Sequence, residues 1–404
     1  MSDTHDQKRP ARGRSGRGRN KGSEPRSGGR GRPRPTQGPH VPVPAVPAED
    51  HEVCGLLELN SDGGGKLRPD ALEHPDDATV PAALIRSVGL RQGDFVEGIA
   101  AGITLHQVSR VNGHGTEGLA DRPVFERLTA VHPNQALKLG PKPRAITGRL
   151  LDLIAPVGRG QRGLIVSPPK AGKTTLLREI AAGVSEDPKI KLIVCLVGER
   201  PEEVTELRRA VKGDVLAGDL DQPNRVHARV ALLGVEHAKR LVEEGKDVVV
   251  LLDSLTRLAR AHNLDARGGG RTLSGGMDAT ALLPVRQIFG AARAAEEGGS
   301  LTIIATCLID TGSRLDDLVY EEFKGTGNME VHLDRKLAER RLYPAINILR
   351  SGTRHDELLL TPQMYNLATR LRRKLARVPP EDGLAELLGA LRDYPDNVEA
   401  LENI

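Results

Sequence analysis

Several residues in this 404-residue chain have the types and spacing to handle a nucleotide. The first group is the loop Ser167-Pro168-Pro169-Lys170-Ala171-Gly172-Lys173-Thr174-Thr175. An apolar strand over 163–166 enters it. A helix with Leu176, Leu177 and Ile180 on one side leaves it near Gly172. This is the strand–loop–helix context of a phosphate-binding loop, whose backbone N–H groups converge on phosphate oxygens. Lys173 has the reach for the β- and γ-phosphates, and the Thr174 hydroxyl suits Mg²⁺. Ser167 stands where the usual first glycine would be, and the two prolines stiffen the loop by fixing φ. ATP and Mg²⁺ are therefore the expected substrate and metal.

Two carboxylates stand where apolar runs end. The run 248–252 leads into Asp253, which places an acid beside the phosphate loop to hold Mg²⁺ through water. Asp253 also has the chemistry to cap the helix that follows, and the two roles are compatible. The run 192–197 leads into Gly198, Glu199 and Arg200, at the edge where such sheets bind ligands. Glu199 can polarise an attacking water; Arg200 can contact phosphate or couple to a neighbouring subunit. Glu202 and Glu203 follow Pro201 and suit the first turn of a helix, where acids complement the dipole. Two Gly-rich polar segments, 268–276 around Arg271 and 321–328 around Lys324 and Gly325, each hold one central cation. They read as flexible loops that grip a phosphate backbone inside a ring's channel, or as solvated turns. Arg354 is one of dozens of arginines able to act as a finger on phosphate.

The elements that must position these groups follow from hydrophobic pattern. The runs 192–197, 248–252 and 301–306 are continuous and apolar, as strands of a parallel sheet buried on both faces are. Helical stretches over 201–211, 226–244 and 278–296 lie between or beside them. This is an α/β domain over 147–362, followed by a charged helical segment over 363–404. Before it, 51–116 reads as short strands broken by turns, a small β-barrel, and 117–146 as a proline-rich connector.

Composition narrows the class. There is no Trp and only four Phe and four Tyr, so the core is built from Leu, Ile, Val and Ala. Cys54, Cys195 and Cys307 are widely spaced; two sit in apolar runs and read as reduced core residues of a cytoplasmic protein. No apolar run is long enough to span a bilayer, no signal peptide opens the chain, and no membrane partner is expected. The net charge of +4 is unevenly placed: residues 1–40 hold 11 Lys/Arg and 3 Asp/Glu, leaving −4 for the rest. Residues 1–50, rich in Arg, Gly, Pro and Ser, cannot bury a core and are expected to be disordered, as an RNA- or DNA-binding arm or as a linker.

Taken together, these residues make the chain very similar to the bacterial Rho family of transcription termination factors, ring-shaped hexameric RNA helicases with RecA-like motors. The resemblance rests on 158–166, 168–174, 199–205, 251–254 with 256–260, 298–305 and 321–330, and covers about 52–361. It implies a RecA-like motor preceded by an OB-like barrel. It implies that Lys173 and Thr174 hold the phosphates and Mg²⁺, that Asp253 is the metal carboxylate and Glu199 the catalytic base. It makes Arg354 the finger given to the neighbour's site, with Arg200 also at the subunit interface. The Arg271 and Lys324 loops become the RNA-gripping channel loops, and Tyr343 the ring against adenine. It also implies single-stranded RNA, RNA polymerase and a homohexamer as partners, in the bacterial cytoplasm.

The chain departs from the family in places. Gly198 stands where an Asp often precedes the catalytic Glu, and Arg271 where Lys is frequent. The barrel turn in which the family stacks bases on aromatic rings is here Gly63-Gly64-Gly65-Lys66-Leu67-Arg68, leaving Lys66 and Arg68 as its RNA contacts. The helical bundle that usually precedes the barrel is replaced by the Arg-Gly tail. The expected function is an ATP-hydrolysing, RNA-translocating motor that ends transcription. Its rivals are a rotary or export ATPase subunit and a non-hydrolysing RNA-binding regulator.

Overall fold

A computed structural model describes residues 49–266, 276–278 and 280–404. The basic tail and Arg271 lie outside the described residues. Five strands, β1 (Asp50–Leu59), β2 (Gly65–Arg68), β3 (Thr79–Val80), β4 (Phe95–Ala101) and β5 (Thr104–Val111), close into a barrel in the order β1-β2-β3-β5-β4. Helix α1 (Ala82–Val88) crosses between β3 and β4. The barrel interior is small and aliphatic, with Leu57, Leu67, Val80, Val96, Leu105 and Val111 almost wholly buried.

The chain then forms β6 (Ala130–Val131), β7 (Ala136–Leu137), α2 (Ile146–Ile154) and β8 (Val157–Gly158), with β7 and β8 paired as a two-stranded ribbon. The α/β alternation follows: β9 (Arg162–Ser167), α3 (Lys173–Val184), β10 (Ile190–Glu199), α4 (Pro201–Ala210), β11 (Asp214–Asp219), α5 (Asn224–Glu243), β12 (Asp247–Asp253) and α6 (Leu255–Asp265). Next come α7 (Leu282–Gly290), β13 (Arg293–Ala295), β14 (Ser300–Leu308), α8 (Arg314–Lys324), β15 (Met329–His332), α9 (Arg335–Glu339) and β16 (Gly352–Thr353). Helices α10 (Pro362–Leu375), α11 (Pro380–Asp393) and α12 (Asn397–Glu402) end the chain. Among the described residues the sheet path is β11-β10-β12-β14-β9-β15-β16, parallel from β11 to β15.

Side chains alternate across this sheet. Ile165, Val194, Leu196, Val249 and Leu251 face one core, beneath α2, α3 and the C-terminal helices. Leu164, Val166, Ile193, Cys195, Val250 and Leu252 face the other, beneath α5 to α8. Cys195 and Cys307 are buried there and Cys54 is exposed; all three are free. Burial pushes both buried thiols up to about 12, so they are packing groups and not nucleophiles.

Two expectations need correction. The stretch 278–296 is not one helix: α7 ends at Gly290, and 293–295 pairs antiparallel with both β14 and β6. Its alanines favour helix locally, but backbone partners at the sheet win. The segment 321–328 is not a free loop either. Residues 321–324 are the last turn of α8, and Phe323 is fully buried, edge-on to Phe289 at 5.7 Å. Val319 and Phe323 lie four apart on the buried face, a helical period that the following Gly325 and Gly327 obscured.

Barrel and motor are docked by specific contacts. Gly93 has φ +81°, and a Cβ there would fall 2.5 Å from the α5 backbone at Glu236 and His237. The His237 ring donates from Nδ1 to Gly93 O at 3.0 Å. Arg122 holds the buried Asp94 carboxylate with two bonds of 2.6 Å, while Glu243 of α5 accepts from Arg91 and from Phe125 N–H. Such paired, hydrogen-bonded charges are the form in which ions are tolerated inside.

Candidate functional site

The candidate nucleotide site lies at the C-terminal edge of the parallel strands. Ser167 ends β9 and is buried, its hydroxyl donating to Pro168 O at 2.9 Å. Pro169 and Lys170 are exposed. Lys170 (φ +64°) and Gly172 (φ +95°) take left-handed backbone, which turns the chain sharply into α3. No side chain caps α3, so its first-turn N–H groups remain available to an anion.

Lys173 opens the helix and reaches across to two neighbouring strand ends. Its Nζ is ion-paired to Asp253 and donates to Glu199 Oε1 at 2.8 Å. Burial works against the ammonium, but the two carboxylates overcome it and hold the lysine above its ordinary value. Glu199 ends β10 and is 2 % exposed. Burial pushes its carboxyl up, the adjacent Asp253 adds to that, and Lys173 and Arg257 oppose it. Asp253 ends β12 and also accepts from Thr306 Oγ1 at 2.6 Å. The cap of α6 is Ser254, whose Oγ accepts from Arg257 N–H, so Asp253 is left to the lysine.

The Thr174 hydroxyl donates to Glu203 Oε2 at 3.0 Å, so Glu203 does more than complement a dipole. Thr175 is exposed beside a cleft of about 470 Å³ that Gly172, Leu176, Glu179 and Tyr343 also line. That volume is within the range of small-ligand sites. The Tyr343 ring packs 3.7 Å from where a Cβ on Gly172 would sit and is 44 % exposed.

Mg²⁺ suits this donor set. It prefers oxygen ligands and is commonly held by one or two protein groups plus phosphates and water. Thr174 Oγ1 and Asp253 supply that much. Among the described residues no cluster of three or more His, Cys, Asp or Glu is arranged to hold a metal by itself.

Of the remaining expected residues, one lies beside this cluster and the others away from it. Arg200 is exposed at the N-cap of α4, 3.8 Å from Glu203. Arg354 follows β16, and its N–H donates to Asn328 O at 2.8 Å. Since Met329 pairs with Gly163 and Thr353, Arg354 lies at the opposite edge of the sheet from Ser167. The separation is roughly 16 Å along the strands. Lys324 ends α8 about half exposed, 3.8 Å from Glu321 and 5.6 Å from the Tyr320 ring, with Gly325 as the C-cap. In the barrel, Lys66 is half-buried on β2. Arg68 corrects an expectation: it is 6 % exposed and bound to Glu58 and Asp77. A guanidinium committed to two carboxylates in the interior is structural, not a contact for phosphate.

Three partners were not foreseen. Arg257 Nη2 lies 3.4 Å from Glu199 Oε2, Thr306 holds Asp253, and Glu203 holds the Thr174 hydroxyl. Only Thr306 had a visible signal, as a polar residue ending an apolar run. Gly198 has φ +66°, and a Cβ there would sit 3.3 Å from His227 and 3.4 Å from Arg257. Left-handed backbone in a tight place favours glycine.

Comparisons with known proteins bear on the fold and the family. Residues 148–353 match the model of the ATP synthase alpha/beta family, nucleotide-binding domain, and residues 53–117 match the model of the Rho termination factor, RNA-binding domain. The chain is 51 % identical over 355 residues to transcription termination factor Rho of Streptosporangium roseum, covering 87 % of this chain and 92 % of that protein. It is 50 % identical to the Streptomyces coelicolor protein of the same name, covering 90 % and 88 %. In fold it is similar to an ATPase from the type III secretion system of pathogenic bacteria (TM-score 0.59, 22 % identity, 70 % of this chain and 88 % of that one). It is also similar to the ATP synthase subunit NeqB of Nanoarcheaum equitans (TM-score 0.54, 18 % identity, 68 % and 77 %). A RecA-like α/β motor with a small closed barrel before it, matched along most of its length at about half identity, belongs to the transcription termination factor Rho family.

Proposed function

We propose that this protein is an RNA-dependent ATPase that translocates along single-stranded RNA as a homohexamer and releases the transcript from RNA polymerase. The observation that carries the catalytic half is the convergence of Glu199 and Asp253 on Lys173 beside an uncapped helix N-terminus. That arrangement supports the following roles. The loop 167–175 cradles the phosphates, and Lys173 exchanges its carboxylate partners for phosphate oxygens when nucleotide enters. Thr174 and Asp253 hold Mg²⁺, which supplies charge neutralisation at the phosphates when bound. Glu199 orients water and takes its proton; burial raises its proton affinity, which suits a base. Tyr343 provides a ring for the adenine. Arg354 cannot reach its own subunit's loop from the far edge of the sheet, which supports action on a neighbour's nucleotide. Arg200 lies at that interface as well. Lys324 and Gly325, with Arg271, contact RNA in the channel; in the barrel Lys66 is the remaining cation of the turn that lacks rings.

The test is ATP hydrolysis with and without single-stranded RNA, comparing wild type with Lys173→Ala. RNA-stimulated hydrolysis that the variant loses is the expected result. Hydrolysis indifferent to RNA would favour a transport-type ATPase, whose fold is shared. No hydrolysis in either condition would favour a regulator that only binds RNA.

A further inference from the structure

The turn that carries Arg354 is held by groups that the nucleotide chemistry does not use. His355, the next residue, has φ +58° and ψ 39°. Few non-glycine residues adopt this left-handed conformation, although His, Asn and Asp do so more readily than others. The His355 Nδ1 lies 3.0 Å from Glu357 Oε1. Its ring lies against that of His132, with centroids 5.1 Å apart and planes inclined at 56°. His132 belongs to the connector, immediately after β6. Leu358 N–H donates to His355 O at 3.0 Å, which closes the turn. On the other side, Arg354 N–H is bound to Asn328 O, and the Asn328 side chain accepts from Gln161 Nε2 and Arg162 N–H.

The backbone around Arg354 is therefore fixed from both directions. The guanidinium itself is exposed and has no hydrogen-bond or ion-pair partner among the described residues. Like charge also stands within its influence: Arg162, itself tied to Thr326 O and Ala292 O, has its pKa lowered by burial and then by Arg293 and Arg354. An exposed side chain with no partner of its own takes its direction from the backbone that carries it, and here that backbone is held.

We propose that His355 is a positioning residue for Arg354: with His132 and Glu357 it clamps the turn so that the guanidinium projects toward the next subunit's nucleotide. This rests on the reading of Arg354 as a finger acting across subunits. The clamp contributes by pre-organisation, because a misplacement of about 1 Å can cost roughly 100-fold in rate.

The test uses full-length rings with saturating single-stranded RNA, and radiolabelled phosphate release so that low rates are quantified. His355→Val, whose β-branch disfavours left-handed backbone, should lower kcat by roughly 10-fold to 100-fold while KM for ATP, ring assembly and RNA affinity stay unchanged. His355→Asn tolerates the same backbone and should keep most of kcat. In an Arg354→Ala background, His355→Val should lower kcat no further. Wild-type kcat in His355→Val, where Arg354→Ala is impaired, overturns the clamp. So does an equal loss from His355→Val in both backgrounds, which would mark a general structural effect. Wild-type kcat in Arg354→Ala overturns the finger reading, and the clamp with it. Should His355→Val not assemble, His132→Ala decides: it removes only an exposed ring, and a drop in kcat that vanishes without Arg354 is the expected result.

Discussion

Two sets of charged residues at opposite edges of the parallel sheet are held in opposite ways. At the C-terminal edge, Lys173, Glu199, Asp253 and Thr306 are largely buried and each has a partner within the chain. At the N-terminal edge, Arg354 and Lys324 are exposed; Arg354 has no polar partner among the described residues, and Lys324 has only a distant one. A buried charge must be paired or it neutralises, so the first edge is a self-contained site. An exposed cation costs little by itself, so the second edge can wait for a ligand from outside. On the proposed function, the contrast separates what one subunit supplies from what a neighbour or RNA completes.

The largest expected effect tests the exposed edge. Arg354→Ala should slow hydrolysis by roughly 10³- to 10⁵-fold, the scale of arginine fingers. Mixing these subunits with Lys173→Ala subunits should restore some activity at interfaces that combine an intact loop with an intact finger. Failure to recover at any ratio, in rings shown to be mixed, would end the idea that the second edge acts in trans.

Next in size is the buried edge. Glu199→Gln should lower kcat by roughly 10²- to 10⁴-fold and leave nucleotide affinity near wild type, since the loop 167–175 is untouched. Turnover at the wild-type rate would remove Glu199 from the role of base.

The barrel gives an intermediate case. Arg68→Ala should destabilise the protein by about 3–5 kcal/mol, because Asp77, 3 % exposed, is left without its cation. A lower thermal midpoint with unchanged RNA affinity per folded molecule is expected. Loss of RNA affinity without loss of stability would return Arg68 to the nucleic-acid surface.

Lys324→Ala should reduce RNA stimulation by about tenfold, the worth of one charge-assisted hydrogen bond, with nucleotide affinity held. Unchanged stimulation would make it an ordinary surface lysine. The smallest effect concerns the tail. Deleting residues 1–40 should flatten the salt dependence of RNA binding by about 0.7 in slope for each phosphate that the tail neutralises. Hydrolysis at saturating RNA should be nearly unaffected. An identical slope in the truncated protein would make the tail a linker.

Much of the site was legible because local rules produce it. A strand that ends in a Gly-Lys-Thr turn, and apolar runs that end in Glu199 and Asp253, put reactive groups at strand ends by chain direction alone. What lies between distant segments was not legible. Arg257 meets Glu199, Arg68 meets Asp77, and 293–295 leaves a helical pattern to pair with β14 and β6. Each depends on which strands become neighbours.

By itself, then, the order of residues determined the Gly-Lys-Thr loop that opens α3, the two strand-end carboxylates that meet its lysine, the buried parallel strands and the uneven charge. These follow from periodicity and short-range geometry. Only the tertiary structure decided that β9, β10 and β12 share one edge, that Arg354 stands at the other, and that Arg68 is consumed inside the barrel. Sheet order and burial are set by long-range packing, where a charge is kept or spent according to what the fold brings beside it.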